Sequence, residues 1–201
     1  MIYVPELYWK TRFNMRQDMA AGGHWERNNV LDYKQAEEVI KDALSAYTIK
    51  NKLPLSNYQF LDIGCATGYW TEFLKQNGVI EYDGIDITDV LFDNLRKRYP
   101  VYNFVKQDIT QEPIKRQYDI ILCLDVTQHI VDNNLFEIAM NNIKQALRRG
   151  GLLLITSWCS ELFERVNYYE VKRPISFYRE IFDVGYPIEY RDKYLLQVTN
   201  D

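Results

Sequence analysis

Phe60-Leu61-Asp62-Ile63-Gly64-Cys65-Ala66-Thr67-Gly68 runs from an apolar strand through a turn of small residues and directly into a helix. Gly64 and Gly68 permit a backbone that a side chain would obstruct, and Ala66 is nearly as small. The helix behind the turn offers unpaired N–H groups at its N-terminus. Such a turn serves close packing alone or the approach of a ligand, and two acids further on favour the ligand. Asp86 ends the next strand, 22 residues after Gly64, where a carboxylate can accept the ribose hydroxyls of a nucleoside. Asp108 follows the third strand in Phe104-Val105-Lys106-Gln107-Asp108-Ile109, placed to accept from a purine amine. A dinucleotide fingerprint would need glycines at 64, 66 and 69, and the chain has Ala66 and Tyr69 at the last two.

Outward from this stretch, strands alternate with helices. Strands are expected at Tyr58–Ile63, Tyr82–Ile87, Val101–Val105, Tyr118–Leu124 and Leu152–Ser157, and helices at Tyr69–Gln76, Thr88–Arg98 and Leu135–Leu147. Arg148-Arg149-Gly150-Gly151 reads as the stop of the last helix, cations and then glycine. A helix near Ser176–Asp183 precedes two strands, Tyr186–Tyr190 and Tyr194–Thr199, close enough to form an antiparallel hairpin. Before all of these lie a loosely helical segment over residues 1–20 and a helix that Asp32 can cap, with Ala36, Val39, Ile40, Ala43, Leu44 and Tyr47 on one face. The pattern is α/β, a mainly parallel sheet with right-handed crossovers and helices on both faces.

Composition narrows the function. The 201 residues suit a single domain at about 150 residues per domain. Lys plus Arg is 24 and Asp plus Glu is 28, a net charge of −4, so nucleic acid is not an expected partner. The longest apolar runs, such as Ile120–Leu124, fall far short of the ~20 residues of a membrane span. The opening Met1-Ile2-Tyr3-Val4-Pro5-Glu6 has no basic region followed by an apolar stretch, so no secretory leader is expected. Three scattered cysteines (Cys65, Cys123, Cys159) suit a reducing compartment, and the expected location is the cytoplasm.

The motif set resembles the class I S-adenosylmethionine-dependent methyltransferase family. Leu61–Gly68 resembles its D/E-x-G-x-G-x-G motif with Ala66 at the central glycine, Asp86 its ribose acid and Asp108 its adenine-side acid. Tyr118–His129 resembles the fourth-strand motif often seen as D-V-L-E-H, and Arg149-Gly150-Gly151-Leu152 the turn before the fifth strand. The resemblance covers about residues 58–199. It implies a Rossmann-like, doubly wound, seven-stranded sheet in the order 3-2-1-4-5-7-6 with the last strand antiparallel. Residues 1–55 would form an N-terminal helical cap and 56–201 the core of one methyltransferase domain.

The resemblance also implies the site. S-adenosylmethionine would be bound, and S-adenosylhomocysteine released, by Asp62, Gly64, Cys65, Ala66, Gly68, Asp86, Ile87, Gln107, Asp108, Ile109 and Leu124. Asp62 would hold the methionine ammonium. Tyr8-Trp9-Lys10-Thr11-Arg12-Phe13 resembles an N-terminal segment in which Trp9 or Arg12 closes over the methionine carboxylate. His129 is the expected base for an acceptor hydroxyl, Asp125 the second candidate and His24 a third. No metal is expected, because Ser157-Trp158-Cys159 stands where catechol-type relatives place an Asp-Asn pair. The D/N-P-P-Y/F motif of DNA amino-methylating enzymes, the Pro-Cys of cytosine enzymes and a paired-glutamate loop are all missing. The acceptor expected first is a sugar or glycan hydroxyl, then another small metabolite such as a quinone precursor or an amine. A non-catalytic cofactor-binding subunit is the third reading, and a homodimer is compatible with any of them.

Overall fold

The computed structural model describes residues 2–16, 26–158, 160–190 and 193–200. Strands β1 (Gln59–Ile63), β2 (Glu81–Asp86), β3 (Asn103–Lys106), β4 (Tyr118–Cys123) and β5 (Leu147–Ser157) are parallel neighbours. A short ribbon of β6 (Glu164–Arg165) and β7 (Val171–Lys172) stands apart from them. Strands β8 (Ile188–Tyr190) and β9 (Lys193–Thr199) complete the main sheet, whose order is β3-β2-β1-β4-β5-β9-β8. This is the expected seven-stranded topology. β9 lies antiparallel against β5 and β8 antiparallel against β9, the hairpin anticipated at the C-terminus.

Strand β4 shows why these sequences form central strands: Ile120, Ile121, Leu122 and Cys123 are all fully buried, so both faces are covered. Alternate residues go to opposite sides. Phe60, Ile120, Leu122 and Leu154 pack towards helices α2 (Glu26–Asn51), α3 (Tyr69–Gln76) and α4 (Phe92–Arg98), through Ile40, Leu44, Leu74 and Leu95. Leu61, Ile121, Leu153 and Ile155 pack towards α5 (Asn133–Ala146) and α6 (Ile175–Arg179), through Phe136, Met140, Ile143 and Tyr178. Helix α1 (Pro5–Met15) starts on a proline, tolerated where the first N–H has no intrahelical partner.

Three local expectations are corrected. Helix α2 begins at Glu26, so Asp32 lies inside it rather than at its cap. Helix α4 begins at Phe92, four residues after Thr88, because the chain first crosses the carboxyl edge of the sheet; Asp86 Oδ1 takes the Thr88 N–H there. Arg148-Arg149-Gly150-Gly151 does not stop a helix. Helix α5 ends at Ala146, and these residues form a bulge in β5, where the register moves from Tyr118↔Leu147 to Ile120↔Leu152. The bulge is tied down from outside: Arg148 pairs with Asp119 at 2.8 Å and donates to Gln59 Oε1 at 2.7 Å, and Tyr47 Oη donates to the Gly150 carbonyl. Cations and glycines suit a bulge as well as a helix end.

Candidate active site

A cavity of about 270 Å³ opens at the carboxyl ends of β1 to β4, where open α/β sheets bind ligands. Its floor is Gly64, Ala66, Asp86, Asp108, Asp125 and Val126, and its roof is Tyr3, Pro5, Trp9 and Phe13 from the N-terminal segment. His129 and the chain that follows it to Asp132 close one side.

The turn after β1 carries three positive φ values in five residues: Gly64 at 77°, Ala66 at 43° and Gly68 at 80°. A Cβ on Gly64 would stand 2.5 Å from Val126 Cγ2, and one on Gly68 2.5 Å from Leu95 Cδ2. Glycine is therefore required at 64 to bring the β4 loop over the turn and at 68 to seat α4 against the start of α3. Ala66 keeps its left-handed conformation without a glycine, a cost of roughly 1–2 kcal/mol for an L-residue. Its N–H donates to Asp86 Oδ2 at 3.1 Å, which helps hold it there.

The carboxylates differ in what surrounds them. Asp86 accepts from Ala66 and Thr88 and lines the cavity, and burial pushes its pKa up to about 6. Asp62 lies beneath the floor, 1% exposed. Tyr82 Oη donates to its Oδ2 at 2.8 Å, while its Oδ1 is buried with no partner. Burial pushes Asp62 up to about 7 against that hydrogen bond, and the nearby Asp86 charge adds to the rise. Asp108 spends Oδ1 on the Thr110 N–H and hydroxyl, at 2.8 and 2.7 Å.

At the β4 end, Asp125 is held at φ 59°, an uncommon conformation outside glycine although aspartate adopts it more readily than most. Its Oδ1 accepts from Lys193 Nζ at 2.8 Å and Thr156 Oγ1 at 3.1 Å, and its own N–H donates to Thr156 Oγ1 at 2.7 Å. His129 ends the 3-10 turn Thr127–His129. Its Nδ1 lies 3.2 Å from the Tyr169 carbonyl, which can only accept, so Nδ1 carries the proton and Nε2 keeps its lone pair. Trp9 meets the imidazole edge-on at 4.9 Å, and burial lowers the pKa of His129, which favours the neutral ring. Beneath this loop, the buried Arg173 donates to the carbonyls of Thr127 and Ile130 and to Asn133 Oδ1, stacked 4.2 Å from Phe136.

The cavity wall thus brings together Trp9, Gly64, Ala66, Asp86, Ile87, Gln107, Asp108, Ile109, Asp125 and His129 of the sequence-derived candidates. Asp62, Cys65, Gly68 and Leu124 are not on the wall: Asp62, Cys65 and Leu124 are buried behind it, and Gly68 caps α3. Arg12 is also off the wall and turns to Tyr8, donating to its hydroxyl at 2.6 Å. His24 lies outside the described residues. Among the described residues no group of three or more His, Cys, Asp or Glu could hold a metal, and no helix is long and apolar enough to cross a membrane. Sequence reading missed Tyr3 and Phe13 in the roof, Thr156 and Lys193 behind Asp125, and the Tyr169 carbonyl behind His129. Phe13 closes the quoted Tyr8–Phe13 segment but carries no role there, and no local motif marks the other four, because each meets its partner only through the fold.

The residues present fit S-adenosylmethionine. The Asp86 and Asp108 carboxylates face the cavity beside the glycine turn, and Asp62 Oδ1 is an orphaned acceptor beneath its floor. Sheet order and the glycine turn are those of the class I S-adenosylmethionine-dependent methyltransferase fold. The chain belongs to the methyltransferase-domain family, whose model matches residues 32–187. Nodulation protein S of Azorhizobium caulinodans is 24% identical over 149 residues, 71% of this chain and 66% of that protein. The ubiquinone biosynthesis O-methyltransferase of Coxiella burnetii is 26% identical over 116 residues, 54% of this chain and 47% of that protein. The chain therefore spans from about half to just under two thirds of these relatives' lengths. Among solved structures, the N-methyltransferase NodS of Bradyrhizobium japonicum WM9 with S-adenosyl-l-homocysteine superposes with TM-score 0.59 at 20% identity, covering 78% of this chain and 86% of that one. The magnesium protoporphyrin IX methyltransferase of Synechocystis PCC 6803 superposes with TM-score 0.66 at 16% identity, covering 96% and 93%.

Proposed function

We propose that this protein methylates a hydroxyl of a sugar or glycan in the cytoplasm, as one domain in which residues 1–55 cover a core of residues 56–201. The observation that carries the hydroxyl reading is the 3.2 Å contact of His129 Nδ1 with the Tyr169 carbonyl, which leaves Nε2 to act as the base in a cavity that also contains the glycine turn. A hydroxyl must lose its proton as it is alkylated, and a positioned base contributes about 10²–10⁴-fold.

In this reading Asp86 accepts from the ribose hydroxyls, Asp108 from the adenine amine through its remaining oxygen, and Asp62 from the methionine ammonium through Oδ1. Ile87, Gln107 and Ile109 flank the purine. Trp9, Tyr3 and Phe13 exclude water from above and offer rings against which a sugar can stack. When bound, S-adenosylmethionine supplies a sulfonium methyl: a C–O bond to the acceptor forms, the C–S bond breaks, and its electron pair stays on sulfur. His129 Nε2 takes the hydroxyl proton, and the Tyr169 carbonyl stabilises the imidazolium at Nδ1–H. Holding acceptor and donor in line is worth roughly 7–11 kcal/mol of the barrier.

A second reading, an amine acceptor, is favoured by the likeness to an N-methyltransferase and by a carboxylate, Asp125, in the wall. An acceptor screen with methyl-labelled S-adenosylmethionine over sugars, phenolic quinone precursors and amines separates the two. Label in an O-methyl sugar supports the proposal; label found only in N-methyl products overturns it.

A further inference from the structure

We infer that Lys193 is a charge-matching residue of the acceptor site, holding the Asp125 carboxylate so that the methyl-transfer end of the cavity is electrically neutral and disfavours cationic acceptors; this rests on the methyltransferase reading above.

The sheet order sets the placement. The nucleoside acids Asp86 and Asp108 follow β2 and β3, and the glycine turn follows β1. The next strand across is β4, whose carboxyl end brings Asp125 and His129 to the cavity wall, and β5 and β9 lie directly behind it. Each contributes one member of a single cluster: Asp125 after β4, Thr156 in β5 and Lys193 at the start of β9. The ion pair is part-buried, with side-chain exposures of 18% for Lys193 and 36% for Asp125. Both bonds that the Asp125 carboxylate accepts among the described residues fall on Oδ1. Asp125 is fixed at φ 59° by its N–H bond to Thr156, and backbone held in a sparsely populated region gathers at functional sites.

Among the described residues near this end, burial favours the neutral form of His129, with the Glu170 and Arg12 charges acting on it in opposite directions, and Asp132 lies further along the wall. Tyr33 keeps its hydroxyl protonated through burial and the Asp125 and Asp62 charges. Among the described residues Lys193 is the cation bonded directly to Asp125. Without it, an uncompensated carboxylate beside the reacting atoms would attract a positive charge there.

The charge at that point is readable without knowing the acceptor. S-adenosylhomocysteine presents a neutral thioether at the reacting position, whereas sinefungin presents an amine in place of the methyl-sulfonium. Titration calorimetry of both ligands on the full chain gives the ratio of their affinities. Lys193→Met is expected to shift that ratio about tenfold towards sinefungin, a modest share of the attraction available near a protein surface. Lys193→Arg should keep the wild-type ratio, and adding Asp125→Asn to Lys193→Met should restore it. A purely structural lysine would change both affinities together, or neither. If thermal melts show that Lys193→Met fails to fold, Lys193→Gln replaces it. A ratio that moves less than twofold in the folded Lys193 variant overturns the inference and leaves the cofactor assignment standing. Absence of S-adenosylhomocysteine binding to folded wild type overturns the cofactor assignment, and this inference with it.

Discussion

Binding of S-adenosylhomocysteine should be steeply pH-dependent, because the two carboxylates assigned to its ammonium and ribose are both buried. In the free protein Asp62 titrates near pH 7 and Asp86 near pH 6, each raised chiefly by burial. In the proposed binding mode the ligand needs both ionised. At pH 5 about one Asp62 in a hundred and one Asp86 in ten are ionised, whereas at pH 8 nearly all are. Affinity should therefore fall on the order of 10³-fold from pH 8 to pH 5, about 4 kcal/mol. Binding near pH 6.5 should release protons, which calorimetry in buffers of different ionisation enthalpy would count. Asp62→Asn should remove the larger part and leave a dependence of about tenfold, centred on Asp86. Stability has the opposite sign. A carboxyl raised in the folded state binds more protons there than in the unfolded chain, so its contribution falls as pH rises from about 4 through 7. The melting temperature of Asp62→Asn relative to wild type should accordingly be more favourable at pH 8 than at pH 5. An affinity that varies less than threefold between pH 5 and pH 8, or proton uptake on binding, would refute the assignment of these acids to the ligand.

Other expectations rest on single contacts. Gly64→Ala meets Val126 Cγ2 at 2.5 Å and needs φ 77°, so it should cost about 2–4 kcal/mol; in a Val126→Ala background only the backbone part, about 1–2 kcal/mol, should remain in denaturant melts. Arg173→Met removes the guanidinium donors to the Ile130 carbonyl and Asn133 Oδ1 and one of the two donors to the Thr127 carbonyl, which should cost about 3 kcal/mol, or roughly 6–12 °C in a thermal melt. His129→Ala should lower turnover at least tenfold while S-adenosylhomocysteine affinity stays within about twofold, and an unchanged rate would remove it from the reaction. Turnover should survive chelator; loss on EDTA with recovery on magnesium would show a metal that the carboxylates present do not suggest.

What the sequence made legible was what short segments decide. Strand β4 is apolar on both faces, so Tyr118–Leu124 could be read as a central strand, and Gly68 followed by Tyr69–Gln76 marked α3 to the residue. The β8–β9 hairpin was visible because only a few polar residues part the runs Tyr186–Tyr190 and Tyr194–Thr199. Ambiguity appeared where one signal serves two structures. Arg148-Arg149-Gly150-Gly151 has the chemistry of a helix end, and only the pairing of Arg148 with Asp119 and Gln59 shows a bulge. The β6–β7 ribbon, two residues a side, is too short to leave a period. In the site, the acids and glycines were legible because their spacing follows strand lengths. Their partners were not: Lys193 lies 68 residues from Asp125 and Tyr169 lies 40 from His129, distances at which no pattern of spacing operates.

Backbone strain ties these partners to the chemistry. Three non-glycine residues among those described have positive φ: Lys52, Ala66 and Asp125. Lys52 follows the end of α2, where a left-handed residue is an ordinary way to leave a helix. The other two face the cavity from neighbouring strands, one within the glycine turn after β1 and one at the end of β4. Each is held by a bond to its own N–H, from Asp86 Oδ2 at Ala66 and from Thr156 Oγ1 at Asp125. Both acceptors belong to side chains at the carboxyl ends of buried strands, which cannot shift without disturbing the sheet. The two strained residues would relax if those acceptors were lost. Removal of the Thr156 hydroxyl should therefore release Asp125 and with it the Lys193 pair, although Thr156 itself has no place on the cavity wall. On this argument Thr156→Val, close in shape, should leave S-adenosylhomocysteine affinity nearly unchanged and reproduce the shift towards sinefungin expected of Lys193→Met. A Thr156→Val protein with the wild-type ratio of the two affinities would mean that the sheet alone fixes Asp125.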